Sequence, residues 1–437
     1  MSFDGWKEVK LEEIIDITMG QSPKSEYYNS TGEGLPFLQG NRTFGEKTPY
    51  FDTYCTENKK IAEKNDVIMS VRAPVGDLNI APTTISIGRG VCAMRLRNSN
   101  DNNYLYYLMT HNINRMINRE SGTVFGSVNK RDILGLKITT TDNKSEQKAI
   151  ANILSTLDEK IEVNNQINET LENMAQELFK RWFVDFEFPN EEGEPYQLSG
   201  GEMVESELGM MPKGWRVGTI SDYIDTIIGG DWGKANKENN YTEKVYCIRG
   251  ADLKEINVGN KGKAPERYIL EKNLLKKKLH AGNLIIEISG GSPTQSTGRI
   301  GYVSKEVIER FENPIVATNF CRTISLKDDI NQEYIYYLWR YLYNKKIFFN
   351  YENGTTGIKN LDINSLVENY SISKPHNEII SKFSTVIRHI NRIIQYNGTQ
   401  NTKLKNIRDT LLPKLMSGEI RVPLEEMEES LTEVKGG

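Results

Sequence analysis

With 437 residues, 38% of them hydrophobic and 26% charged, the chain has globular composition and room for about three ordinary domains. No run approaches the roughly 18 uninterrupted apolar residues of a membrane span, and residues 1–6 lack the basic and apolar regions of a signal peptide, so a cytoplasmic protein is expected. The net charge of −4 argues against nucleic acid until its distribution is read: residues 186–212 hold seven Glu and no Lys or Arg, residues 419–437 carry −4, and the rest carries +7.

In chain order the first feature is “GWKEVKLEEIIDITMG” at 5–20, which returns as “GWRVGTISDYIDTIIG” at 214–229. Asp16 then answers to Asp225 and Gly20 to Gly229, and both Trp6 and Trp215 read as core anchors. Further echoes follow in the same order: Leu38-Gln39-Gly40 with Ile248-Arg249-Gly250, residues 65–70 with 283–287, “NYLYYL” at 103–108 with “EYIYYL” at 333–338, and “SGTVFGSVNKRDI” at 121–133 with “NGTTGIKNLDI” at 353–363. Preserved order with variable spacing indicates a duplicated domain. Each copy reads as α+β. Short apolar segments (66–71, 85–96, 284–289) alternate with turn residues, and Tyr-rich stretches near 104–118 and 334–349 have helical spacing.

A long helix follows each copy. Asn143 with Glu146 forms a candidate capping box, and Ile150, Leu154, Leu157, Ile161, Asn164, Asn168, Leu171, Ala175, Leu178 and Trp182 follow a heptad seam that would span roughly 50 Å. The second seam is Ile380, Phe383, Ile387, Ile390, Ile394, Asn397, Asn401, Leu404 and Leu411, with Arg408 intruding, Gly398 weakening the helix and Pro413 expected to bend or end it. If the helices pair antiparallel, their Asn layers should meet; the alternative is two amphipathic helices, each packed on its own domain. Trp182, Phe183 and Phe186 would pack on a partner or on the domains. The domain reading is 1–145 and 214–376 as globular copies, 146–185 and 377–418 as helices, 186–213 as an acidic linker and 419–437 as an acidic tail.

Catalytic and metal signatures are scarce. There is no GxxxxGK[ST] and no GxGxxG after a strand; “ENPIV” at 312–316 lacks the aromatic residue of an aminomethyltransferase motif; Asp158-Glu159-Lys160 lies within a helix. Cys55, Cys92, Cys247 and Cys321 form no CxxC pair, and His111, His280, His376 and His389 read as surface residues. “ISGGSPTQSTG” (288–298) lacks the Lys and helix start of a phosphate cradle and reads as a flexible surface loop, and “KNLLKKKLH” (272–280) as a solvated helix face.

Two variable α+β copies, each followed by a long helix, resemble the DNA-specificity subunits of type I restriction–modification systems. The stretches that carry the resemblance are the GW starts, “SEQKAIANILSTLDEKIEVNNQINETLENMAQELFKRWFVDF” (145–186), “GEMVESELGMMPKGW” (201–215) and “LLPKLMSGEI” (411–420). The resemblance implies an α+β fold of two target-recognition domains joined by an antiparallel coiled coil with pseudo-twofold symmetry. It further implies a non-catalytic chain that reads a bipartite double-stranded DNA site and docks two modification subunits and restriction subunits. S-adenosylmethionine and ATP with Mg are expected on those partners, none on this chain, and no membrane partner. A stand-alone two-headed DNA-binding regulator or coiled-coil scaffold is the alternative.

Base readout needs Arg for guanine and Asn or Gln for adenine, with Lys, Ser and backbone N–H groups on phosphates. The candidates in the first copy are Gln21, Ser22, Gln39, Asn41, Arg42, Arg72, Ser121, Gly122, Thr123, Ser127, Asn129 and Lys130. Those in the second are Trp232, Lys234, Arg249, Ser289, Thr294, Gly354, Thr355, Thr356 and Lys359. The Gly-Thr loops lead this set, with a structural turn as the alternative; Arg42 and Arg72 read equally as surface ion-pair residues.

Overall fold

The computed structural model describes residues 5–97, 102–117, 126–292, 294–328, 330–354 and 359–423. They fall into two compact units, Met1–Lys160 with Leu404–Gly437, and Ile161–Lys403. Each unit takes part of both long helices, α1 (Lys144–Phe183) and α2 (Asn377–Ser417), the division falling inside the helices after Lys160 and after Lys403.

In the first unit an antiparallel sheet runs in the order Ile15–Met19, Val91–Leu96, Val67–Ser70, Leu78–Ile80. Its two central strands, Val91–Leu96 and Val67–Ser70, are nearly continuous apolar runs because both faces are covered. Val67, Met69, Cys92 and Met94 face the helix Asn103–Ile117, while Ile68, Val91 and Ala93 face a second core with Leu38, Ile85 and Ile87. A second sheet there pairs Leu35–Leu38 parallel to Ile85–Ile87.

The second unit repeats this plan. Ile224–Gly229, Cys321–Leu326, Leu284–Glu287 and Ile300–Tyr302 form a sheet of the same order and directions, and Tyr241–Ile248 pairs parallel to Ile315–Ala317. The duplication is therefore structural. Its register differs from the sequence echo at two places. An irregularity between Ile224 and Thr226 inserts Asp225 as an extra residue, so Met19 corresponds to Gly229 and Gly20 to Gly230. The shared Asp-Ile pair also separates: Asp132 lies inside a short helix capped by Asn129, whereas Asp362 is itself a cap.

Both GW motifs anchor a unit. Trp6 opens a strand paired with Lys137–Thr141, is buried, and lies so close to Gly418, just past α2, that a Cβ there would fall 2.7 Å from the indole Nε1. Trp215 precedes a strand paired with Ser371–Lys374 and packs on Phe183, Phe186 and Phe188 at the end of α1, with ring centroids 5.3–6.2 Å apart. Trp182, Phe183 and Phe186 thus pack within their own unit. The expected linker is packed too: Phe188 stacks on Tyr196, and Met203–Ser206 forms a hairpin with Gly209–Pro212.

The helices pair antiparallel. In the second unit Asn164 Nδ2 donates to Asn401 Oδ1 at 2.8 Å, and Asn397 Nδ2 donates to Asn168 Oδ1 at 2.9 Å, so the two Asn layers meet. Near the ends of the seam the burial passes from Leu178 and Trp182 to Phe179 and Phe183. In the first unit the intruding Arg408 donates to Asp158 Oδ1 at 2.7 Å, and Tyr107 donates to the other carboxylate oxygen. Burial would lower the Arg408 guanidinium, but Asp158 and Asp409 hold it above its ordinary range. Asn143 caps α1 as expected, yet the Glu146 carboxylate accepts from Arg421 instead of closing the box.

α2 runs through both positions that argued against it. Pro413 is exposed, while Leu412, Leu415 and Met416 are buried in the first unit's core and hold the helix to Ser417. Gly398 lets the loop Val258–Gly259 touch the helix: a Cβ there would fall 2.0 Å from Val258 O. Gly398→Ala should therefore lower the thermal unfolding temperature, although alanine is intrinsically about 1 kcal/mol better in a helix. An increase would show that the loop yields.

Asn164→Ala should cost the second unit about 1–3 kcal/mol by stranding Asn401, whereas leucine at both 164 and 401 should recover the loss. Urea unfolding of the three proteins checks this.

Candidate nucleic-acid interface

Five loops of the first unit gather beyond the ends of its strands. The strand Ile15–Met19 can leave the sheet only through glycine, since a Cβ on Gly20 would lie 2.1 Å from Gly88 O. Gln21 then donates its backbone N–H to Ile87 O at 3.0 Å. Ser22 donates to Gln39 Oε1 at 3.0 Å and accepts from the Arg89 backbone N–H at 3.1 Å, joining three loops through one hydroxyl. Val71 donates to Gly90 O, Val128 donates to Val71 O, and Arg72 bridges to Ser127. Gln21, Ser22, Gln39, Arg72 and Ser127 are thereby brought together, all exposed or half-buried.

The second unit builds the same junction. Gly230 replaces Gly20, with a Cβ position 2.0 Å from Thr318 O. Asp231 donates to Ala317 O, Ile288 to Phe320 O, and Leu361 to Ile288 O, repeating the first unit's bonds one for one. This pairing sets Gln21 against Asp231, Ser22 against Trp232, Gln39 against Arg249, Arg72 against Ser289, and Ser127 against Asn360. The turn Gly88-Arg89-Gly90 falls opposite Thr318-Asn319-Phe320, because Gly88 and Thr318 donate to Leu38 O and Ile248 O respectively.

Same backbone, different side chains. The first junction presents amides, hydroxyls and the cations Arg72 and Arg89. The second presents a carboxylate, an indole and an exposed phenyl. Arg267 stacks on Trp232 with its guanidinium carbon 4.1 Å from the ring centroid, which fixes the plane of its fork. Asp231 is held by Asn273 Nδ2 at 2.6 Å.

Other candidates are engaged locally. Arg42 forms a bidentate pair with Asp52 at 2.7 and 2.8 Å, and Asn41 donates to Asp77 at 2.6 Å. Asn129 spends its side-chain oxygen capping the helix Lys130–Leu134, whose first residue, Lys130, is exposed. Lys359 is paired with the buried Glu352 at 2.8 Å, Lys234 exchanges backbone bonds with Tyr268, and Thr294 sits near Ser292. Gly354 adopts φ +146°. Ser121, Gly122, Thr123, Thr355 and Thr356, the core of the Gly-Thr loops, lie outside the described residues.

Residues 288–298 differ from the flexible loop expected: Thr297 is fully buried and donates its hydroxyl to Glu352 at 3.0 Å. Residues 272–280 begin with the short helix Glu271–Lys277, and Lys277 reaches back to Gly230 O at 2.8 Å. Among the described residues no cluster of His, Cys, Asp and Glu suits a metal, and no helix is long and apolar enough to cross a membrane.

Arg89, Asn319, Phe320, Arg267 and Asn360 escaped the sequence reading. The Gly-Arg-Gly between two apolar runs was the available signal for the turn. Arg267 is found only through its stacking partner.

Two α+β units of one plan, each with its own loop junction and each including part of both long helices, define a duplicated chain. The chain belongs to the type I restriction modification DNA specificity domain family, which matches residues 4–173 and 212–406. It is 26% identical over 441 residues to the MjaIX type I restriction enzyme specificity subunit of Methanocaldococcus jannaschii, covering 95% of this chain and 94% of that protein. A second protein of that organism, named for the MjaX specificity subunit, is 36% identical over 178 residues, only 40% of this chain and 42% of the relative. The fold is also that of a type I restriction–modification S subunit from M. genitalium, with a TM-score of 0.59 at 18% identity over 94% of this chain and 96% of the other.

Arg249 is gripped by Asp252 through Nε and Nη2 at 2.8 and 2.9 Å. Burial alone would raise the Asp252 carboxylate, but bonds from Arg249 and from the Lys263 and Arg249 backbone hold it below the ordinary 3.8. The depressed value contributes stability that is present above 3.8 and lost as pH falls through the folded value. The stability gap between wild type and Arg249→Ala should therefore narrow as pH drops below 3.8, measured by urea unfolding at neutral and acid pH. A constant gap would assign Arg249 a packing role only.

Proposed function

We propose that this chain is the non-catalytic specificity subunit of a type I restriction–modification complex, with each unit reading one half of an asymmetric bipartite site in double-stranded DNA. The observation that carries this reading is the pair of loop junctions with matching backbone bonds and unlike side chains. A common frame gives each head the same approach to a duplex, and different donors and acceptors give each a different half-site. Arg72, Arg89, Gln21 and Gln39 serve one half; Arg249, Arg267, Asn319 and Asn360 serve the other.

Modification subunits dock on the helix pair, carrying S-adenosylmethionine, and restriction subunits bring ATP with Mg. In support, Val163, Ile167 and Met174 on α1, with Val386, Ile393 and Tyr396 on α2, are 40–66% exposed within the second unit, at spacings of three, four or seven residues. Apolar side chains repeated along outward helix faces fit a helical partner better than water. A stand-alone regulator would not need them, so recovery of the chain from native cells without a stoichiometric S-adenosylmethionine-binding partner would sink the docking half.

The reading half is tested by exchange. Replacing residues 214–376 with the matching region of another family member should change one half of the methylated site and leave the other intact, read by methylome sequencing. Change in both halves, or in neither, would overturn the two-reader proposal.

A further inference from the structure

Phe320 is the feature of the second junction that polar readout leaves unused. The residue is 62% exposed, yet it sits in a turn whose backbone is hydrogen-bonded on both sides. Thr318 donates to Ile248 O, Cys321 donates to Thr318 O, and Ile288 donates to Phe320 O, all at 2.9 Å. Arg322 Nη1 adds bonds to Asn319 O and Cys321 O at 3.2 and 3.1 Å. A hydrogen-bonded turn thus holds a large flat apolar group in solvent, next to the exposed Asn319 and with the Arg322 guanidinium bonded to the same turn. Left in water it gains nothing; a side chain on a turn this firmly held retains the freedom only to be covered.

The first unit cannot present such a group. At the equivalent Gly90 a Cβ would fall 2.3 Å from Gln39 O, so the frame has closed over the position. The two heads therefore differ here in kind as well as in side chain.

We propose that Phe320 is a wedge that inserts between adjacent base pairs of the second half-site, unstacking one step, while the first half-site is read without insertion. This rests on the DNA-reading proposal above. The partner chemistry follows from the surroundings: Asn319 flanks the phenyl with a side chain able to bond a base edge, and the Trp232–Arg267 stack supplies a cation on the same junction. Apolar wedges beside polar contacts unstack and kink duplexes, most cheaply at flexible pyrimidine–purine steps. The phenyl's own share of specificity at that step then comes from deformability, without a hydrogen bond from it to a base.

The test uses the full-length chain, together with any modification subunits that co-purify with it. The probes are duplexes bearing its methylated site, with 2-aminopurine replacing one base at a time in the second half. The methylated adenine is left unlabelled, so that base extrusion by a modification subunit gives no signal. One step should brighten several-fold on binding. Phe320→Ala should abolish that rise and weaken site binding about tenfold, with the slope of log affinity against log salt unchanged because no phosphate contact is lost. Phe320→Leu should keep part of the signal. Because the side chain is exposed, both variants should unfold in urea as the wild type does.

The wedge fails if no step brightens while wild type still discriminates cognate from scrambled second half-sites, or if brightening survives Phe320→Ala. It also fails if Phe320→Ala instead releases a co-purifying protein, which would make the phenyl a protein contact. If wild type shows no discrimination at all, the DNA-reading proposal itself falls.

Discussion

The four asparagines buried between α1 and α2 in the second unit are the constraint on which the arrangement turns. An apolar seam alone would tolerate sliding by a heptad, because one leucine layer resembles the next. A carboxamide pair does not. Asn164 must face Asn401 and Asn168 must face Asn397, or buried donors and acceptors lose their partners. Asn401 also donates to Asn165, and Asn164 to Gln400, so the layer is a small network with little freedom to shift. Within the same unit, the end of α1 forms the aromatic bed for Trp215. The first unit uses a charged version of the same device. Asp158 accepts from both Arg408 and Tyr107, tying α1, α2 and the helix Asn103–Ile117 through one carboxylate. Its worth lies in geometry: desolvating such a pair offsets much of its attraction, while removing one partner strands the other.

Glycine supplies the second kind of constraint. Gly20 and Gly230 let a strand end pass against the neighbouring turn, and Gly398 lets a loop reach the side of a helix. In each case the missing Cβ is replaced by a backbone carbonyl about 2 Å from where it would stand. These contacts set the loop junctions relative to the sheets, so the side chains beyond them start from a defined frame. That is why two junctions with almost no side chain in common still share five backbone bonds.

The duplication, the α+β class, the helix pairing and the meeting of the Asn layers were legible because periodicity and repetition survive divergence. What was not legible came from single-residue events. The extra residue at Asp225 shifts the echo by one, and the Gly229-Gly230 pair hides the shift because Gly stands at both registers. Pro413 and Gly398 argue against a helix locally, and tertiary packing overrides them. Phe186, Phe188, Tyr196, Val204 and Met211 lie in a stretch whose seven Glu made it read as linker, yet these side chains dock it on the core. Among the candidate contacts, residue type could not distinguish a side chain offered to solvent from one already spent. Arg42 and Asn129 have the right chemistry and are occupied by Asp52 and a helix terminus; Arg89 and Phe320 sit in a turn hidden between two buried strands.

On the proposed function, occupied side chains still shape readout. A guanidinium held by a carboxylate, as Arg249 is by Asp252, or laid on an indole, as Arg267 is on Trp232, has already lost much of the rotamer freedom that binding would otherwise remove. Its remaining N–H groups point in set directions, which on the proposed reading would favour discrimination over a free arginine of equal charge. The first junction does the same with neutral groups: Ser22 orders both Gln39 and the Arg89 backbone. Preorganisation of this sort couples the frame to the variable positions. A substitution at a reading residue alters one contact, whereas a substitution at Gly20, Gly230 or Ser22 disturbs several loops together. Between the copies the backbone hydrogen bonds of the junction are kept, whereas the side chains that project from it differ, the Ser22 hydroxyl bridge of the first unit included.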